Sequence, residues 1–410
     1  MFASDMTPLN LLGPVCSRAR SDKHKRMKTM PLTIGVPTET VHGERRLCVV
    51  PDVVKRYLGL GAQLLIQSGA GQPAHLRDEM FGDVRFAAKS EEVYSTADVV
   101  LCVQPPSVEL IATMKPGSVL LGMLQPWSDA TRAQQLMDKQ ITSFALELLP
   151  RITRSQSMDA LSSQAAVAGY ECALIAADHC PKFFPMLTYA AGTIRPAKVL
   201  VIGAGVAGLQ AIATARRIGA MVEAYDVRAE TREQIESLGA KFVDTGVSAE
   251  GTGGYARELT DEEKAKQAER LAKAVAQCDA LITTAAVPGK RAPRIITADM
   301  IARMKPGAVV VDMAAESGGN VEGTVAGKKT WINDVLVIGP AHIASRMPVH
   351  ASEMYARNLF NFLSPFIKEG TLALDWEDEV IAGTCLTHAG VLKHVGVRKA
   401  LGLMAEMEVA

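Results

Sequence analysis

Aromatic residues are scarce, at 5% of 410 positions against a hydrophobic share of 48%. The apolar mass is therefore Ala, Val, Leu, Ile and Met, and with 33 glycines that balance suits stacked α/β layers. Charge of one sign is not in excess either, since 44 Lys and Arg face 44 Asp and Glu. That argues against a nucleic-acid groove and against direct membrane insertion or attachment to an anionic surface. The seven cysteines are odd in number and hold no CxxC pair, so no disulfide framework or zinc centre is expected. His179 and Cys180 adjoin, but tetrahedral zinc needs four converging ligands. The longest apolar run, residues 199–215, is broken by Gly203, Gly205 and Gly208 and falls short of the ~20 residues of a membrane helix. GxxxxGK[ST], HExxH and GxSxG are all missing, which removes the P-loop, zincin and nucleophile-elbow templates.

Residues 1–30 stand apart. Arg18, Arg20, Lys23, Lys25, Arg26 and Lys28 face only Asp22 as a local acid, and no apolar stretch of a secretory signal precedes them. They read as a disordered extension before a start at Met27 or Met30, or as an acid-poor mitochondrial leader.

Regular patterning begins with the strand "LTIGVPTE". A helix over about residues 52–60, closed by Gly61, and the strand "AQLLIQSG" follow. Further apolar runs without alternation ("ADVVLCVQPP", "GSVLLGML", "VLVIGAGVAG", "AMVEAYD", "CDALITTAAVPG", "GAVVVDMAA") are strands buried on both faces, hence parallel sheet. The stretch "ADVVLCVQPP…ATMKPGSVLLGML" is echoed by "CDALITTAAVPG…ARMKPGAVVVDMA". Two long helical segments, "MDALSSQAAVAGYECALIAADH" and "HASEMYARNLFNFLSPFIKEG", lead between the halves. The predicted fold is α/β, two doubly wound Rossmann-like domains with parallel sheets joined by two long helices around a cleft. Residues 31–158 with 350–410 form the first domain, and residues 159–349 the second.

Gly203-x-Gly205-x-x-Gly208 follows the strand "KVLVI" and opens a helix that Gly219 ends. The next strand stops at Asp226, 18 residues beyond Gly208. In that βαβ context the first glycine permits the tight turn, the second lets a pyrophosphate approach, and the third allows close helix–strand packing. The helix N-terminus offers unpaired N–H groups to phosphate oxygens. A carboxylate at Asp226 suits a ribose hydroxyl and repels a 2′-phosphate, which favours NAD over NADP; nearby Arg228 is the feature that pulls the other way. The stretch "RITRSQSMDALSSQ", residues 151–164, concentrates Arg151, Arg154, Gln156, Asp159 and Ser162 ahead of a long helix. Ser157 or Asp159 can cap that helix, and the remaining polar groups suit a nicotinamide carboxamide and ribose. The stretch "EGTGGYAREL", residues 250–259, reads as a lid over bound cofactor or as a plain connection.

These motifs resemble the NAD(H)-binding component, domain I, of the proton-translocating nicotinamide nucleotide transhydrogenases. The likeness runs from about Leu32 to His388 and rests on "GVPTET…GERR", "RITRSQSMDALSSQAAVAGY", "VIGAGVAGLQAIATARRIGA", "DVRAETREQIESLGAKFV", "GGYARE", "TTAAVPGKRAP" and "VDMAAESGGN". The resemblance implies that Arg151, Ile152, Thr153, Arg154, Gln156, Asp159 and Ser162 hold the nicotinamide end. Within that set, Gln156 and Asp159 would position the reacting ring without acid–base chemistry. It likewise puts Gly203, Gly205, Val206 and Gly208 on the pyrophosphate, Asp226, Val227 and Arg228 at the adenosine ribose, and Gly254 and Tyr255 in a mobile loop.

The same resemblance implies direct hydride transfer between NAD(H) here and NADP(H) on a partner subunit, with no metal. Proton movement would be coupled through separate membrane-spanning subunits. A homodimer is implied, cytoplasmic and peripheral on the inner membrane through those partners, or in the mitochondrial matrix if residues 1–30 are a leader. The related alanine dehydrogenases use a lysine and a histidine at positions that align with Gln104 and Gln125. Neither glutamine can supply that charge or shuttle that proton, while Arg45 and Arg46 are common to both groups. A non-catalytic NAD-sensing module is the remaining alternative.

Overall fold

The structure is a computed structural model, and it describes residues 31–403 apart from 229, 247–258 and 288. Strands β1 (Thr33–Val36), β2 (Gln63–Gln67), β3 (Arg85–Ala87), β4 (Val99–Cys102), β5 (Val119–Gly122) and β6 (Thr142–Ala145) pair in parallel. A hairpin, β7 (Leu187–Tyr189) and β8 (Gly192–Ile194), follows. The second sheet comprises β9 (Lys198–Ile202), β10 (Met221–Tyr225), β11 (Lys241–Phe242), β12 (Ala280–Thr283), β13 (Val309–Asp312), β14 (Lys328–Ile332) and β15 (Val335–Gly339). After a short pair, β16 (Ile367–Lys368) and β17 (Thr371–Leu372), the chain returns to the first sheet as β18 (Cys385–His388) and β19 (Val391–Leu392).

The strand orders are β19-β18-β6-β5-β4-β1-β2-β3 and β11-β10-β9-β12-β13-β15-β14. Each is doubly wound, and strand order reverses beside β1 in one sheet and beside β9 in the other, where ligand crevices open. The α/β architecture is thus two such sheets. In β4, Val99 and Leu101 join one apolar cluster while Val100 and Cys102 join another, so helices cover both faces. The second sheet divides likewise, Val199 and Val201 against Leu200 and Ile202.

Two expectations need correction. The sheets are mixed rather than wholly parallel, because β14 runs antiparallel to β15, β18 to β6, and β19 to β18. Tight turns account for two of these: Asn333, at φ 51°, lies between the paired Ile332 and Val335, and Ala389-Gly390 turns at φ 51° and 76°. The second long helix ends at Leu363 rather than running past Phe366. Pro365 lacks the N–H an α-helix needs, and Ser364–Phe366 is a 3-10 turn.

Two helices join the lobes. The linking helix Ala160–His179 is buried on all sides, and it crosses the helix Val206–Ile218 at Gly169. A Cβ on Gly169 would lie 2.0 Å from the Ala207 carbonyl oxygen. The return helix Pro348–Leu363 carries the buried Tyr355, whose hydroxyl donates to Cys102 O (2.8 Å) and accepts from Met123 N (3.0 Å), tying the ends of β4 and β5.

A buried polar belt connects these pieces. Arg46 grips Glu44 through Nε (2.7 Å) and Nη2 (2.6 Å) and reaches Gln164 Oε1 on the linking helix (2.9 Å). Glu44 also accepts from Ser345 Oγ and from Gln104 Nε2 (2.9 Å). Gln164 donates to Ala351 O (3.1 Å), and Leu47 N donates to Ser352 Oγ (2.9 Å). Behind the belt, Glu39 accepts the main-chain N–H groups of Val103 (2.6 Å) and Gln104 (3.0 Å) beyond β4. Burial lifts the Glu39 carboxyl to about 7, with Glu44 adding to the rise and those amides and Arg46 opposing it. Burial also acts upward on Glu44, but Arg46, Ser345 and Gln104 outweigh it and bring that carboxyl down to about 2.

This packing can be probed at two positions. Gly169→Ala gains about 1 kcal/mol of helix propensity. Overpacking against a backbone oxygen costs about 1–3 kcal/mol and prevails, so the denaturant midpoint should fall rather than rise. For Glu39, the fold retains a proton that the unfolded chain releases between about 4.5 and about 7. Its stabilisation is therefore complete below the lower value and is lost as pH rises through the upper one, at no more than about 1.4 kcal/mol per pH unit. Glu39→Gln should flatten that decline when unfolding is measured from pH 5 to 8. An unchanged slope would mean that Glu39 is already ionised at the lower pH.

Candidate functional site

The strand β9 is an unbroken apolar run, and it ends in Gly203, whose φ of 95° disfavours a side chain. The three motif glycines meet three different constraints. A Cβ on Gly203 would stand 2.7 Å from Thr284 Oγ1, and one on Gly208 would stand 1.8 Å from the Gly203 carbonyl oxygen. A Cβ on Gly205 would meet nothing within 4 Å, so this is the open approach to the turn. Gly205 caps the helix Val206–Ile218 without any side-chain cap bond, and Leu209 N, to Gly205 O, donates the first bond of the helix. The N–H groups of Val206, Ala207 and Gly208 thus point out of the helix start, available to an anion. Val206 itself is exposed. Gly219, in the left-handed region at φ 104°, ends the helix.

Asp226 follows β10 and is buried, with all its near partners local. It accepts from Ala204 N (2.7 Å) in the glycine turn, from Arg228 N (3.0 Å), and from Arg228 Nε (2.9 Å) and Nη2 (2.8 Å). Burial raises this carboxyl, but the Arg228 guanidinium and the two amides outweigh burial and hold it below the usual carboxylate range. Val227 packs its half-buried side chain against the second lobe's core.

Residues 151–162 lie at the start of the linking helix. Thr153–Met158 forms a 3-10 turn, and Asp159 caps the helix by accepting from Ser162 N (2.9 Å) and Ser162 Oγ (2.5 Å). Arg151, Thr153, Arg154 and Gln156 are exposed, while Ile152 packs against the first lobe's core. Arg154 is held by the C-terminal segment, in a two-pronged pair with Asp378 at 2.7 and 2.6 Å. The Gln156 side chain has no hydrogen-bond partner among the described residues. The Ser157 carbonyl accepts from Asn358 Nδ2 and Asn361 Nδ2, both at 3.0 Å. Gly254 and Tyr255 lie outside the described residues.

The linking helix sets the spacing between these groups. Asp159 precedes Gly169 by a rise of ~15 Å along the helix, and Gly169 sits directly on Ala207 at the glycine turn. An extended dinucleotide spans that order of length. On the facing lobe, the loops after β4 and β5 bring Gln104 and Gln125 together, Gln125 Nε2 donating to Gln104 Oε1 at 3.2 Å. Farther along, Trp127 lies against the loop after β12, where a Cβ on Gly289 would meet its indole at 2.6 Å. The lobes therefore face each other through the carboxyl ends of both sheets.

A hollow of about 790 Å3 lies elsewhere, at the amino ends of β9 and β12, among Lys182, Arg195, Lys198, Lys305 and Asp279. Asp279 there accepts from Lys182 Nζ (2.7 Å), Lys305 Nζ (2.8 Å) and Lys198 N (2.9 Å). It has no glycine turn and stands at the wrong strand ends for a dinucleotide. Among the described residues no group of three or more His, Cys, Asp and Glu could hold a metal ion, and no helix is long and apolar enough to cross a membrane.

Sequence reasoning passed over Asn358, Asn361, Asp378, Glu44, Gln164 and Ser345. Only the two asparagines carried a local signal, being polar and three apart on an otherwise apolar helix.

Comparison with known proteins places the chain. Residues 35–168 match the alanine dehydrogenase/PNT N-terminal domain, and residues 172–395 match the alanine dehydrogenase/PNT C-terminal domain. The chain is 43% identical to the opening portion of the NAD(P) transhydrogenase subunit alpha of Rhodospirillum rubrum, a separate protein there, over 88% of this chain and 98% of that one. It is 28% identical to the alanine dehydrogenase of Mycobacterium tuberculosis, over 91% of this chain and 97% of that one. A solved structure of transhydrogenase from Sinorhizobium meliloti superposes with a TM-score of 0.80 at 41% identity, covering 88% of this chain and 99% of that one. With both domains matched in order and relatives of this identity along most of its length, the chain belongs to the alanine dehydrogenase/PNT family.

Proposed function

We propose that this chain is the NAD(H)-binding component of a proton-translocating transhydrogenase. In that reading a hydride passes between NAD(H) on this chain and NADP(H) on a partner subunit, and separate membrane-spanning subunits couple the transfer to proton movement. The observation that carries it is the uncapped helix start at the open Gly205, set ~15 Å of helix away from the 151–162 turn. The residues fit a dinucleotide. The amides of Val206, Ala207 and Gly208 would hold the pyrophosphate, Asp226 and Arg228 the adenosine ribose, and Arg151, Gln156, Asp159 and Ser162 the nicotinamide end.

When bound, the reduced nicotinamide supplies the hydride. The chain's own contribution is orientation and exclusion of water, because no proton has to be moved by a side chain. Gln156 is suited to orient a carboxamide, since its amide offers both a donor and an acceptor. Asp159, being fixed by Ser162, presents a carboxylate whose direction is set before any ligand arrives. Arg154, paired with Asp378, anchors the turn from behind.

The first lobe favours this over an amino-acid dehydrogenase. The groups at the carboxyl ends of β4 and β5 are Gln104 and Gln125, bonded to each other and to Glu44, and neither carries a cation nor an imidazole. A homodimer fits the surface, since Phe183, Met186, Leu187, Tyr189 and Ile194 stand exposed on and beside the β7–β8 hairpin. A cytoplasmic place, peripheral on the inner membrane through the partner subunits, goes with the same reading.

Mixing the purified chain with a recombinant NADP-binding transhydrogenase subunit should give hydride transfer from NADPH to an NAD+ analogue, followed by absorbance. Each protein alone should give none. Binding of NADH without transfer in the mixture would leave alanine-dependent NAD+ reduction, and then a sensor, to be tested. Asp226→Ala should weaken NADH binding by about tenfold, by loss of a charge-assisted hydrogen bond to the ribose; unchanged affinity would sink the ribose assignment. Gln156→Asn should slow transfer far more than it weakens NADH binding, and equal losses would make Gln156 a mere anchor.

A further inference from the structure

The 151–162 turn is held from a direction that none of the proposed contacts uses. Asn358, in the middle of the return helix, is buried, and both ends of its amide are occupied. Its Nδ2 donates to the Ser157 carbonyl at 3.0 Å, and its Oδ1 accepts from Ser163 Oγ at 2.7 Å. Asn361, one turn on and more open, donates to the same carbonyl at 3.0 Å.

Asparagine is a poor choice for this place on stability grounds. It has low helix propensity, and burying a primary amide is unfavourable unless every polar atom is bonded. An apolar residue would pack there without either cost. What Asn358 supplies instead is direction. Two N–H donors on one carbonyl fix the plane of the peptide after Ser157, and the Ser163 bond ties that plane to the first turn of the linking helix. Gln156 lies one residue before this peptide and Asp159 two residues after Ser157. The Gln156 side chain has no partner of its own among the described residues, so its aim is set by the backbone that carries it.

We propose that Asn358 is a positioning residue for hydride transfer, acting through the Ser157 carbonyl on Gln156 and Asp159. The proposal rests on the reading of the 151–162 turn as the nicotinamide site. Hydride transfer depends steeply on distance and angle, and a shift of ~1 Å in a positioning group can cost up to about a hundredfold in rate. Affinity for the whole dinucleotide depends largely on the remote glycine turn. A loosened turn should therefore lower the rate much more than the affinity.

The test is Asn358→Asp, which keeps an acceptor for Ser163 and turns the Ser157 donor into a second oxygen. In the two-protein assay at pH 8 the transfer rate should fall by about tenfold to a hundredfold, with NADH affinity changed by less than about threefold and ADP-ribose affinity unchanged. Lowering the pH should restore some of the rate, because a protonated carboxyl can donate to the Ser157 carbonyl again. In a Gln156→Ala background the same change should add little further loss. Asn361→Ala, on the open side of the helix, should give a smaller loss in the same direction and guards against a folding defect in the first variant.

An unchanged rate in both variants would overturn the proposal, as would parallel loss of NADH and ADP-ribose binding in Asn358→Asp. If the unsubstituted chain transfers no hydride with its partner, the functional reading fails. The ratio of NADH to ADP-ribose affinity then decides on its own. A ratio altered by Asn358→Asp supports positioning of the nicotinamide end, and an unaltered one rejects it.

Discussion

A backbone oxygen stands where the side chain of residue 169 would be, and the arrangement of the lobes depends on that approach. The Ala207 carbonyl lies 2.0 Å from the place of a Cβ on Gly169, so the linking helix and the glycine-turn helix touch backbone to backbone. Contact this close leaves no room for slippage along the pair, because helix surfaces interlock by side-chain ridges and a backbone contact has none to exchange. The N-terminal end of the linking helix, with Asp159 and Gln156, is thereby set at a fixed distance from the amides of the glycine turn. The site is built as a ruler before it is built as a pocket.

The remaining restraints act on the orientation of that ruler. Arg46 connects Glu44 to Gln164, and Glu44 in turn reaches Ser345, so one buried ion pair joins the first lobe to the linking helix and to the end of the second lobe. Isolated buried pairs contribute little to stability after desolvation. Here nearly every remaining lone pair is filled, and the belt defines which way the helix faces. Arg154 with Asp378, and Ser157 with Asn358 and Asn361, do the same for the turn ahead of it. None of these groups needs to touch a ligand to matter.

How much of this could be read from the sequence depended on whether the constraint was local. Gly203, Gly205 and Gly208 were legible because each answers to backbone geometry within a few residues. Gly219 and Asp226 were legible for the same reason, falling at the ends of a helix and a strand whose periods are plain. Asp159 was legible twice, as a cap and as a ligand group, and the cap is realised in its bonds to Ser162. Arg154 was misleading: its charge suggested a ligand, but its partner is 224 positions away. The antiparallel strand β14 had a signal that went unread, the Asn333-Asp334 pair between two apolar runs. The polar belt had none, since Glu44, Arg46, Gln164 and Ser345 meet only after both lobes have folded.

The bonds of Asp226 bear on which dinucleotide the proposed site would take. A ribose-binding carboxylate on a free loop can turn away from an unwelcome phosphate. Asp226 cannot, because one of its oxygens accepts the Ala204 amide inside the glycine turn and swinging it out would undo the turn itself. Arg228 neutralises it at 2.8 Å, yet that guanidinium is on a side chain with several rotatable bonds and can move, whereas the carboxylate is fixed. A ribose hydroxyl entering here would donate to Asp226 in exchange for some of the Arg228 contact, leaving the charge balance unchanged. A 2′-phosphate would bring its own negative charge against a carboxylate that has nowhere to go, and the most Arg228 could do is serve one anion by abandoning the other. The same hydrogen bond that closes the glycine turn therefore makes the preference for NAD over NADP a property of the backbone, not of a removable side-chain contact.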